Sequence, residues 1–229
     1  YTIDNEELVY EEPYIVMQMI DGKNLGDVIE NGVQAVLKDR EYDHYRFWER
    51  DVLQYGQEIC TIFEGFHQKD KSKRNAYYIY QDLKPENIMI TYDTFLTLID
   101  FGGMTLVMDD QFGRPNSNYP GFGSPGLSTW GYKPIEMSEE MGMLDQLDQR
   151  VDVYAIGATL YHLLTGDDPT KFEGEYDPIP VEKLKKFPVT NATYELIEKA
   201  TKRDRNERYQ NMNEMMNQIY NAFSELKKF

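Results

Sequence analysis

The sequence predicts an α+β fold in which helices predominate. Apolar residues spaced three and four positions apart over residues 48–66 define one face of a long amphipathic helix. Residues 151–164 are apolar almost all round, which is typical of a buried central helix. Two short apolar runs within residues 88–99 surround a turn and indicate a small β-hairpin. The 229 residues fit one large domain or two small ones.

The other elements follow from shorter patterns along the chain. They are, in order, a buried strand over residues 14–20, a break at 21–24, a short helix over 25–30, a charged turn at 69–74, and helices over 192–202 and 212–226. Gly166 is placed to end the central helix. Residues 102–132 are rich in Gly, Pro, Ser and Asn and show little periodicity, which predicts a long functional or disordered loop.

The net charge limits the classes of partner. A formal net charge of −16 argues against nucleic acid as the main partner and against an anionic membrane surface, because both attract clustered Lys and Arg. A single nucleotide such as ATP is compatible with this charge, since local groups and magnesium hold it. A hydrophobic share of 41% is enough for a sizeable core.

Cysteine usage and hydropathy bear on the compartment. Cys60 is the only cysteine, so no disulfide can form within the chain and a reducing compartment is expected. The first residues do not resemble a signal peptide, and the most apolar run, residues 155–164, is too short to span a bilayer. We therefore expect a cytoplasmic location without direct membrane insertion, either alone or as the cytosolic domain of a larger or membrane-anchored protein.

Polar residues around the predicted hairpin form a candidate catalytic set. Phosphoryl transfer to a hydroxyl needs a carboxylate at that hydroxyl, magnesium ligands and a cation near the phosphates. Asp82 is the candidate carboxylate and Lys84 the candidate cation. Asn87 and Asp100 offer oxygen ligands to a hard cation such as Mg²⁺, and the hairpin between them would bring them together. Gly102 permits backbone conformations that reorient Asp100.

These residues lie in motifs of a known family. The run Tyr-Gln-Asp-Leu-Lys-Pro-Glu-Asn at residues 80–87 is similar to the catalytic loop of protein kinases. Asp-Phe-Gly at residues 100–102 matches the metal-binding triplet, and Pro-Ile-Glu at 134–136 resembles the end of the activation segment. The chain thus resembles the C-terminal lobe of a Ser/Thr-type protein kinase, a predominantly α lobe with a hinge strand and a small β-hairpin.

The same resemblance assigns residues to ATP. The run Met-Gln-Met-Ile-Asp-Gly is similar to the kinase hinge, which makes Met17 the gatekeeper. The carbonyl of Gln18 and the N–H of Ile20 would face the adenine edge. Asn24 would lie near the ribose, and Met89 would pack below the adenine ring. ATP and Mg²⁺ are the cofactors that the resemblance implies.

Further residues take supporting roles by resemblance. Thr129 belongs to the loop that binds the protein substrate, next to the candidate carboxylate. Asp152 opens the buried helix and would hold the backbone of the catalytic loop. Arg208 resembles the late kinase arginine that pairs with Glu136.

Two positions in the catalytic loop depart from the family pattern. Tyr80 and Gln81 replace the usual His-Arg pair. Tyr80 can still pack against Phe101. Gln81 carries no positive charge, so it cannot pair with a phosphorylated activation segment as arginine does.

The resemblance also divides the chain. Residues 1–20 correspond to the end of the N-terminal lobe and the hinge strand, and 21–229 to the C-terminal lobe, with the activation segment over 100–136. The sequence contains no Gly-x-Gly-x-x-Gly loop and no strand lysine of the Val-Ala-Ile-Lys kind. The small N-terminal lobe is therefore expected in the same full-length chain, in a separate partner, or to have been lost.

The function implied is ATP-dependent phosphorylation of Ser or Thr in a protein substrate. One alternative is a pseudokinase or binding scaffold, which the missing phosphate-gripping elements favour. The other is a small-molecule kinase of related fold, although such enzymes usually lack the Lys-Pro-Glu run found at residues 84–86. Magnesium-dependent nucleotide binding and turnover would discriminate between the protein kinase and the pseudokinase or scaffold.

Overall fold

The fold is described by a computed structural model for residues 2–4, 7–9, 18–29, 42–118, 128–174, 176 and 178–227. In these ranges the α-helices are α1 (Leu25–Val28), α2 (Tyr42–Phe66), α3 (Arg150–Thr165), α4 (Asn191–Ala200) and α5 (Met212–Leu226). The strands are β1 (Thr2–Asp4), β2 (Glu7–Val9), β3 (Gly22–Asn24), β4 (Tyr77–Ile79), β5 (Ile88–Thr91), β6 (Leu96–Leu98), β7 (Thr105–Asp109) and β8 (Pro115–Asn116). The helix-rich α+β prediction is confirmed. Across these ranges, no helix combines the length and the apolar character needed to cross a membrane.

The strands form small antiparallel sheets. The sheet orders are β1–β2, β3–β5–β6 and β4–β7–β8. In the β5–β6 hairpin Ile88 lies opposite Leu98 and Ile90 opposite Leu96, as the two apolar runs predicted. This hairpin returns the chain after β6 to the start of β5, which places the two ends of the candidate site side by side.

Helix α3 forms the centre of the core. Its residues from position 151 to 165 are all buried, which confirms the predicted central helix. Side chains of α2 bond to its last turn: Trp48 Nε1 donates to the Leu163 carbonyl and the Tyr45 hydroxyl to that of Leu164, both at 2.8 Å. These bonds satisfy carbonyls that a helix end leaves without partners. Gly166 ends the helix with φ of 70°, a left-handed conformation that glycine adopts without strain.

The strand predicted over residues 14–20 is not found in the part of it that the structure describes. Residues 14–17, including Met17, lie outside the described residues, and residues 18–20 have no regular secondary structure. The strand β3 forms instead inside the predicted break, paired with β5. A Cβ at Gly22 would stand 2.2 Å from the Ile90 carbonyl oxygen, so glycine permits this close approach. Pairing with a distant strand therefore outweighs the turn preference of Gly and Asn.

The long loop predicted over residues 102–132 also needs correction. Strand β7 pairs with β4, and β8 pairs with the end of β7. Val107 is fully buried on this sheet, opposite Tyr77. Residues 119–127 lie outside the described residues. The prediction of irregular structure was therefore wrong for β7 and β8, because β7 forms by pairing with the distant strand β4, and β8 then pairs with β7.

Cys60 lies on the buried face of α2 with none of its surface exposed. Burial raises the pKa of its thiol to about 12. The thiol is therefore protonated at neutral pH and behaves as a small apolar side chain rather than a nucleophile.

Candidate active site

Asp152, at the start of α3, holds the loop between β4 and β5 (residues 80–87, the catalytic loop). Its fully buried carboxylate accepts hydrogen bonds from the backbone N–H groups of Tyr80 at 3.0 Å and Gln81 at 2.8 Å. His67 Nε2 lies 2.8 Å from the same carboxylate. Gln81 has a left-handed φ of 69°. Such a conformation costs a non-glycine residue about 1–3 kcal/mol, so these bonds hold a strained backbone in place.

Asp82, Lys84 and Thr129 converge above this anchor. Oδ1 of Asp82 accepts hydrogen bonds from the Thr129 N–H at 2.8 Å and from the Thr129 hydroxyl at 2.6 Å. The ammonium group of Lys84 donates to the same hydroxyl oxygen at 2.6 Å. Lys84 Nζ also lies 3.5 Å from Asp82 Oδ2. A hydroxyl group is thus held directly between a carboxylate and an ammonium group.

Asn87 and Asp100 lie at the two ends of the β5–β6 hairpin. The Ile99 N–H donates to the Asn87 carbonyl at 3.0 Å, so the residue before Asp100 is adjacent to Asn87. The Asn87 amide nitrogen donates to the backbone oxygen of Asp82 at 2.8 Å and to its Oδ2 at 3.1 Å. This orientation leaves the amide oxygen of Asn87 as a ligand atom. An amide oxygen and the Asp100 carboxylate are a donor set that fits Mg²⁺.

The backbone that orients Asp100 differs from the expectation for Gly102. Asp100 itself adopts the left-handed conformation, with φ of 60°. Gly102 does not have a positive φ. The Gly102 N–H donates to Asp100 Oδ1 at 3.1 Å. A Cβ on residue 102 would meet that same oxygen at 3.1 Å. Glycine therefore serves here by leaving room for the carboxylate.

Phe101 packs on Tyr80 but keeps half of its surface exposed. The two ring centroids are 5.8 Å apart, nearly perpendicular, and Tyr80 also stacks on Phe66. The Tyr80 hydroxyl donates to the Ile99 carbonyl. Burial raises the pKa of this hydroxyl, so it stays protonated as a donor. Phe101 remains 51% exposed, which leaves an apolar surface at the top of the site.

Gln81 links the catalytic loop to the segment after the Asp-Phe-Gly triplet. Its side-chain amide lies 2.6 Å from the Gly103 carbonyl and 2.6 Å from the Thr105 hydroxyl, to both of which it donates. The Ser128 hydroxyl donates to the Gln81 carbonyl at 2.7 Å. Gln81 is 1% exposed. Hydrogen bonds between uncharged groups therefore connect the catalytic loop to residues 103–105 and to Ser128.

The resemblance to protein kinases implies a phosphoryl-transfer activity, and we expect that activity to survive dephosphorylation, because the bonds of Gln81 require no phosphate. Candidate phosphorylation sites in the sequence are Ser117, Ser124, Ser128 and Thr129. Ser117 is 1% exposed and bonds to the Leu144 carbonyl at 2.6 Å, and Ser124 lies outside the described residues. Phosphatase-treated and untreated protein should phosphorylate a substrate at equal rates. Thr105→Val, which removes one acceptor for Gln81, should lower both rates alike. A large and reversible loss of activity after phosphatase treatment would contradict this prediction.

Glu136 and Arg208 form a buried ion pair away from the catalytic loop. The guanidinium group donates to both carboxylate oxygens, at 2.6 and 2.9 Å. The side chain of Arg208 is completely buried, and that of Glu136 is 4% exposed. Arg208 also donates to the carbonyls of Lys202 and Arg203. The pair fastens the end of the segment at residues 134–136 to the chain before α5.

Of the residues assigned to ATP by resemblance, Asn24 lies on β3 and Met89 on β5. Gln18 is exposed and Ile20 half-buried, just before β3. Asn24 lies opposite Met89 in the β3–β5 pairing. The Asn24 side-chain oxygen accepts the Asp27 N–H at 2.8 Å and so caps α1, which leaves its amide group for a ligand. Their roles toward ATP stay predictions.

Sequence reasoning missed two contributors to this site. The structural role of His67, whose Nε2 lies 2.8 Å from the Asp152 carboxylate, has no motif that assigns it to this site. A usable signal was its position directly after α2 and four residues after buried Phe63, whose carbonyl accepts the His67 N–H at 2.9 Å. The partners of Gln81 had no sequence signal, because the motif shows only that the usual arginine is absent.

A family comparison supports the motif-based resemblance. The family model described as "Protein kinase domain" matches residues 7–221. "Probable serine/threonine-protein kinase PknB" of Corynebacterium glutamicum is 30% identical over 164 residues, covering 71% of this chain and 20% of the relative. "Serine/threonine-protein kinase PknB" of Mycolicibacterium smegmatis is 26% identical over 214 residues, covering 89% of this chain and 29% of the relative. The chain thus spans less than a third of the length of these relatives.

A solved structure supports the fold independently. The chain described as "PpkA-294 apo form" superposes with a TM-score of 0.56 at 18% sequence identity. The match covers 88% of this chain and 61% of that chain. At this identity the similarity is evidence for the fold alone.

Proposed function

Because this chain belongs to the protein kinase domain family, we propose that it transfers the γ-phosphoryl group of Mg-ATP to a Ser or Thr hydroxyl of a protein substrate. The Ser/Thr kinases among its relatives support this class of reaction. The lysine two residues after Asp82 favours Ser/Thr over Tyr specificity by family resemblance.

The observation that carries the proposal is the hydroxyl of Thr129 between Asp82 and Lys84. Its oxygen is 2.6 Å from Asp82 Oδ1 and 2.6 Å from Lys84 Nζ. A substrate hydroxyl in the same place would give its proton to Asp82 while its oxygen forms the new bond to phosphorus, and ADP would leave. Lys84 would stabilise negative charge on the transferred group.

Asn87 and Asp100 are the residues that we propose to hold Mg²⁺. The Asn87 amide nitrogen is occupied by Asp82, at 2.8 Å from its backbone oxygen, so the amide oxygen is the ligand atom. Bound Mg²⁺ would neutralise charge on the phosphates. Magnesium commonly takes one or two protein carboxylate or amide oxygens and completes its shell with phosphate and water.

ATP binding in this proposal uses the edge of the β3–β5–β6 sheet. The adenine would lie against Met17, Gln18 and Ile20, with Met89 below the ring and Asn24 near the ribose. Support comes from the exposed apolar side chains of Met19, at 86%, which stands between Gln18 and Ile20 in the sequence, and of Phe101, at 51%, which follows Asp100. Residues 100–136 would be the activation segment.

A kinase small lobe would complete the enclosure. In this proposal residues 1–20 form the end of the small lobe and the hinge strand, and residues 21–229 form the large lobe. The rest of the small lobe would come from the same full-length chain or from a partner. No glycine-rich phosphate loop occurs in these 229 residues. We therefore expect the chain alone to bind Mg-ATP weakly and to transfer phosphate negligibly, because positioning supplies most of the catalysis. We also propose a cytoplasmic location, since the single cysteine suits a reducing compartment.

The test is transfer of a γ-phosphoryl label to Ser or Thr of a protein by protein that carries a complete small lobe. Magnesium-dependent nucleotide binding without transfer would instead favour the pseudokinase or scaffold. That alternative has one observation behind it, the missing phosphate-gripping elements. The complete set of Asp82, Lys84, Asn87 and Asp100 opposes it.

A further inference from the structure

A groove lies against the sheet formed by β4 and β7, and its described lining includes none of the residues assigned to phosphoryl transfer. Its volume is about 690 Å³, within the size range of specific ligand sites. The last turn of α2, the loop that follows it and both strands bound the groove. Strand β4 leads directly into the catalytic loop, and β7 begins at Thr105, which accepts a hydrogen bond from Gln81. A segment bound in the groove would therefore contact the strands that support the candidate active site.

The sheet formed by β4 and β7 is apolar on both faces. One face packs in a buried cluster that includes Ile79 and Val107. The other face carries Tyr78, Leu106 and Met108, which line the groove, with Tyr78 paired opposite Leu106. An antiparallel sheet with one face in water normally alternates apolar and polar residues. Tyr78 is nevertheless 41% exposed, so these strands have the sequence of a sheet that is covered on its second face as well.

The last turn of α2 leaves room for a side chain from outside. Gly65 and Phe66 form this wall of the groove. A Cβ built on Gly65 would meet no neighbouring atom within 4 Å, so close packing within the chain does not require glycine here. Glycine inside a helix is destabilising relative to alanine. The open space beside Gly65 is the part of the groove that a partner side chain can enter.

Positive charge lies at the rim of this apolar groove. Lys69 Nζ stands 5.3 Å from the centroid of the Tyr77 ring, and both residues line the groove. Lys73 lies 3.6 Å from Asp70, which compensates its charge. Among the described residues Lys69 has no carboxylate partner, and neither has the exposed Lys71 in the same loop. The rim is therefore positive in a chain whose formal net charge is −16.

We propose that this groove docks an acidic segment of a partner protein. Apolar or aromatic side chains of the segment pack on Tyr78 and Leu106, and a carboxylate beside them pairs with Lys69. Charge complementarity between the rim and the segment favours this occupant. A second copy of the chain would bring repulsion between two strongly acidic molecules, and the same net charge disfavours nucleic acid and anionic membranes. The proposal concerns a surface separate from the proposed transfer step and does not depend on it.

Binding of labelled peptides, followed by fluorescence anisotropy, tests the proposal. The first peptide combines glutamates with leucine and phenylalanine. The second has lysine in place of each glutamate, and the third has serine in place of each apolar residue. The first should bind about tenfold more tightly than either of the others, because charge pairing and apolar burial both contribute. Lys69→Glu should weaken its binding about tenfold, as the loss of a charge-assisted hydrogen bond implies.

Matched variants separate the groove from the general charge of the chain. Lys186→Glu makes the same change at another exposed lysine and should leave the affinity unchanged. Gly65→Ala adds a Cβ in open space and should also bind normally. Gly65→Phe places a large side chain in the groove and should abolish binding. Far-UV circular dichroism identical to that of the unchanged chain shows that each variant is folded.

Several results would overturn the proposal. They are equal affinity for the three peptides, undiminished binding by Lys69→Glu, and an equal loss in Lys186→Glu. Binding is also measured on protein with a complete small lobe, where it should persist with the same dependence on Lys69. Loss of binding there would contradict the proposal, because the small lobe itself would then cover the groove. Tighter binding of anionic phospholipid vesicles or single-stranded DNA that depends on Lys69 would contradict it as well and would identify a site for polyanions.

Discussion

Asp82→Asn is expected to lower phosphoryl transfer about 100- to 10,000-fold, the scale of a lost general base. The amide keeps the shape of the carboxylate and can still accept the Thr129 N–H, which lies 2.8 Å from Asp82 Oδ1. It cannot take the proton of the attacking hydroxyl. Single-turnover rates, measured in protein with a complete small lobe, report this loss directly, and affinity for Mg-ATP should survive.

Two comparisons sharpen that result. Asp100→Asn should weaken binding of the magnesium-nucleotide complex as well as transfer, because it removes the negative charge from a proposed ligand of the metal. Asp93→Asn, on the exposed turn of the β5–β6 hairpin, makes the same chemical change away from the site and should leave the rate unchanged. Near-full turnover by Asp82→Asn would show that another group accepts the proton.

Arg208→Met should lower the free energy of unfolding by about 3–5 kcal/mol, the usual cost of removing one partner from a buried ion pair. The change leaves Glu136, only 3% exposed, as a buried charge without its guanidinium partner. It also removes the donor to the Lys202 carbonyl at 2.7 Å. Denaturant titration followed by circular dichroism measures the loss.

A second variant shows how much of that cost is the stranded charge. Glu136→Leu combined with Arg208→Met removes both charges and should recover part of the stability lost in the single variant. Lys185→Met breaks an exposed pair with Glu182 and should leave the unfolding midpoint almost unchanged. An unfolding free energy for Arg208→Met equal to that of the unchanged chain would mean that the pair contributes no net stability.

The helices were predictable because their signal is local and periodic. Helix α5 begins and ends at Met212 and Leu226, as its apolar face predicted, and α3 lies within one residue of its pattern at each end. Helix α2 ends at Phe66 as predicted but already begins at Tyr42, ahead of the apolar pattern over residues 48–66. The short strands were not predictable in the same way. Strand β3 consists of Gly, Lys and Asn, and only its pairing with β5 makes it a strand.

In the candidate site, too, the residues with a local sequence signal were predictable and the others were not. The motif residues Asp82, Lys84 and Thr129 converge in space, and family spacing placed them together in advance. The bond from Gln81 to Thr105, at 2.6 Å, depends on β7 pairing with β4, which no local pattern indicates. Residues in sequence motifs could thus be named beforehand, whereas the side chains that support them became visible only through the tertiary fold.

Transfer of the γ-phosphoryl group to protein is the measurement that tests the central claim most directly. Protein with a complete small lobe is incubated with γ-labelled ATP, Mg²⁺ and a serine-containing basic protein, beside Asp82→Asn and a sample with magnesium chelated. The proposed function predicts label on serine or threonine that requires both magnesium and Asp82. Tight magnesium-dependent nucleotide binding with no label on any protein, in the unchanged enzyme, would contradict it and identify the chain as a binding module.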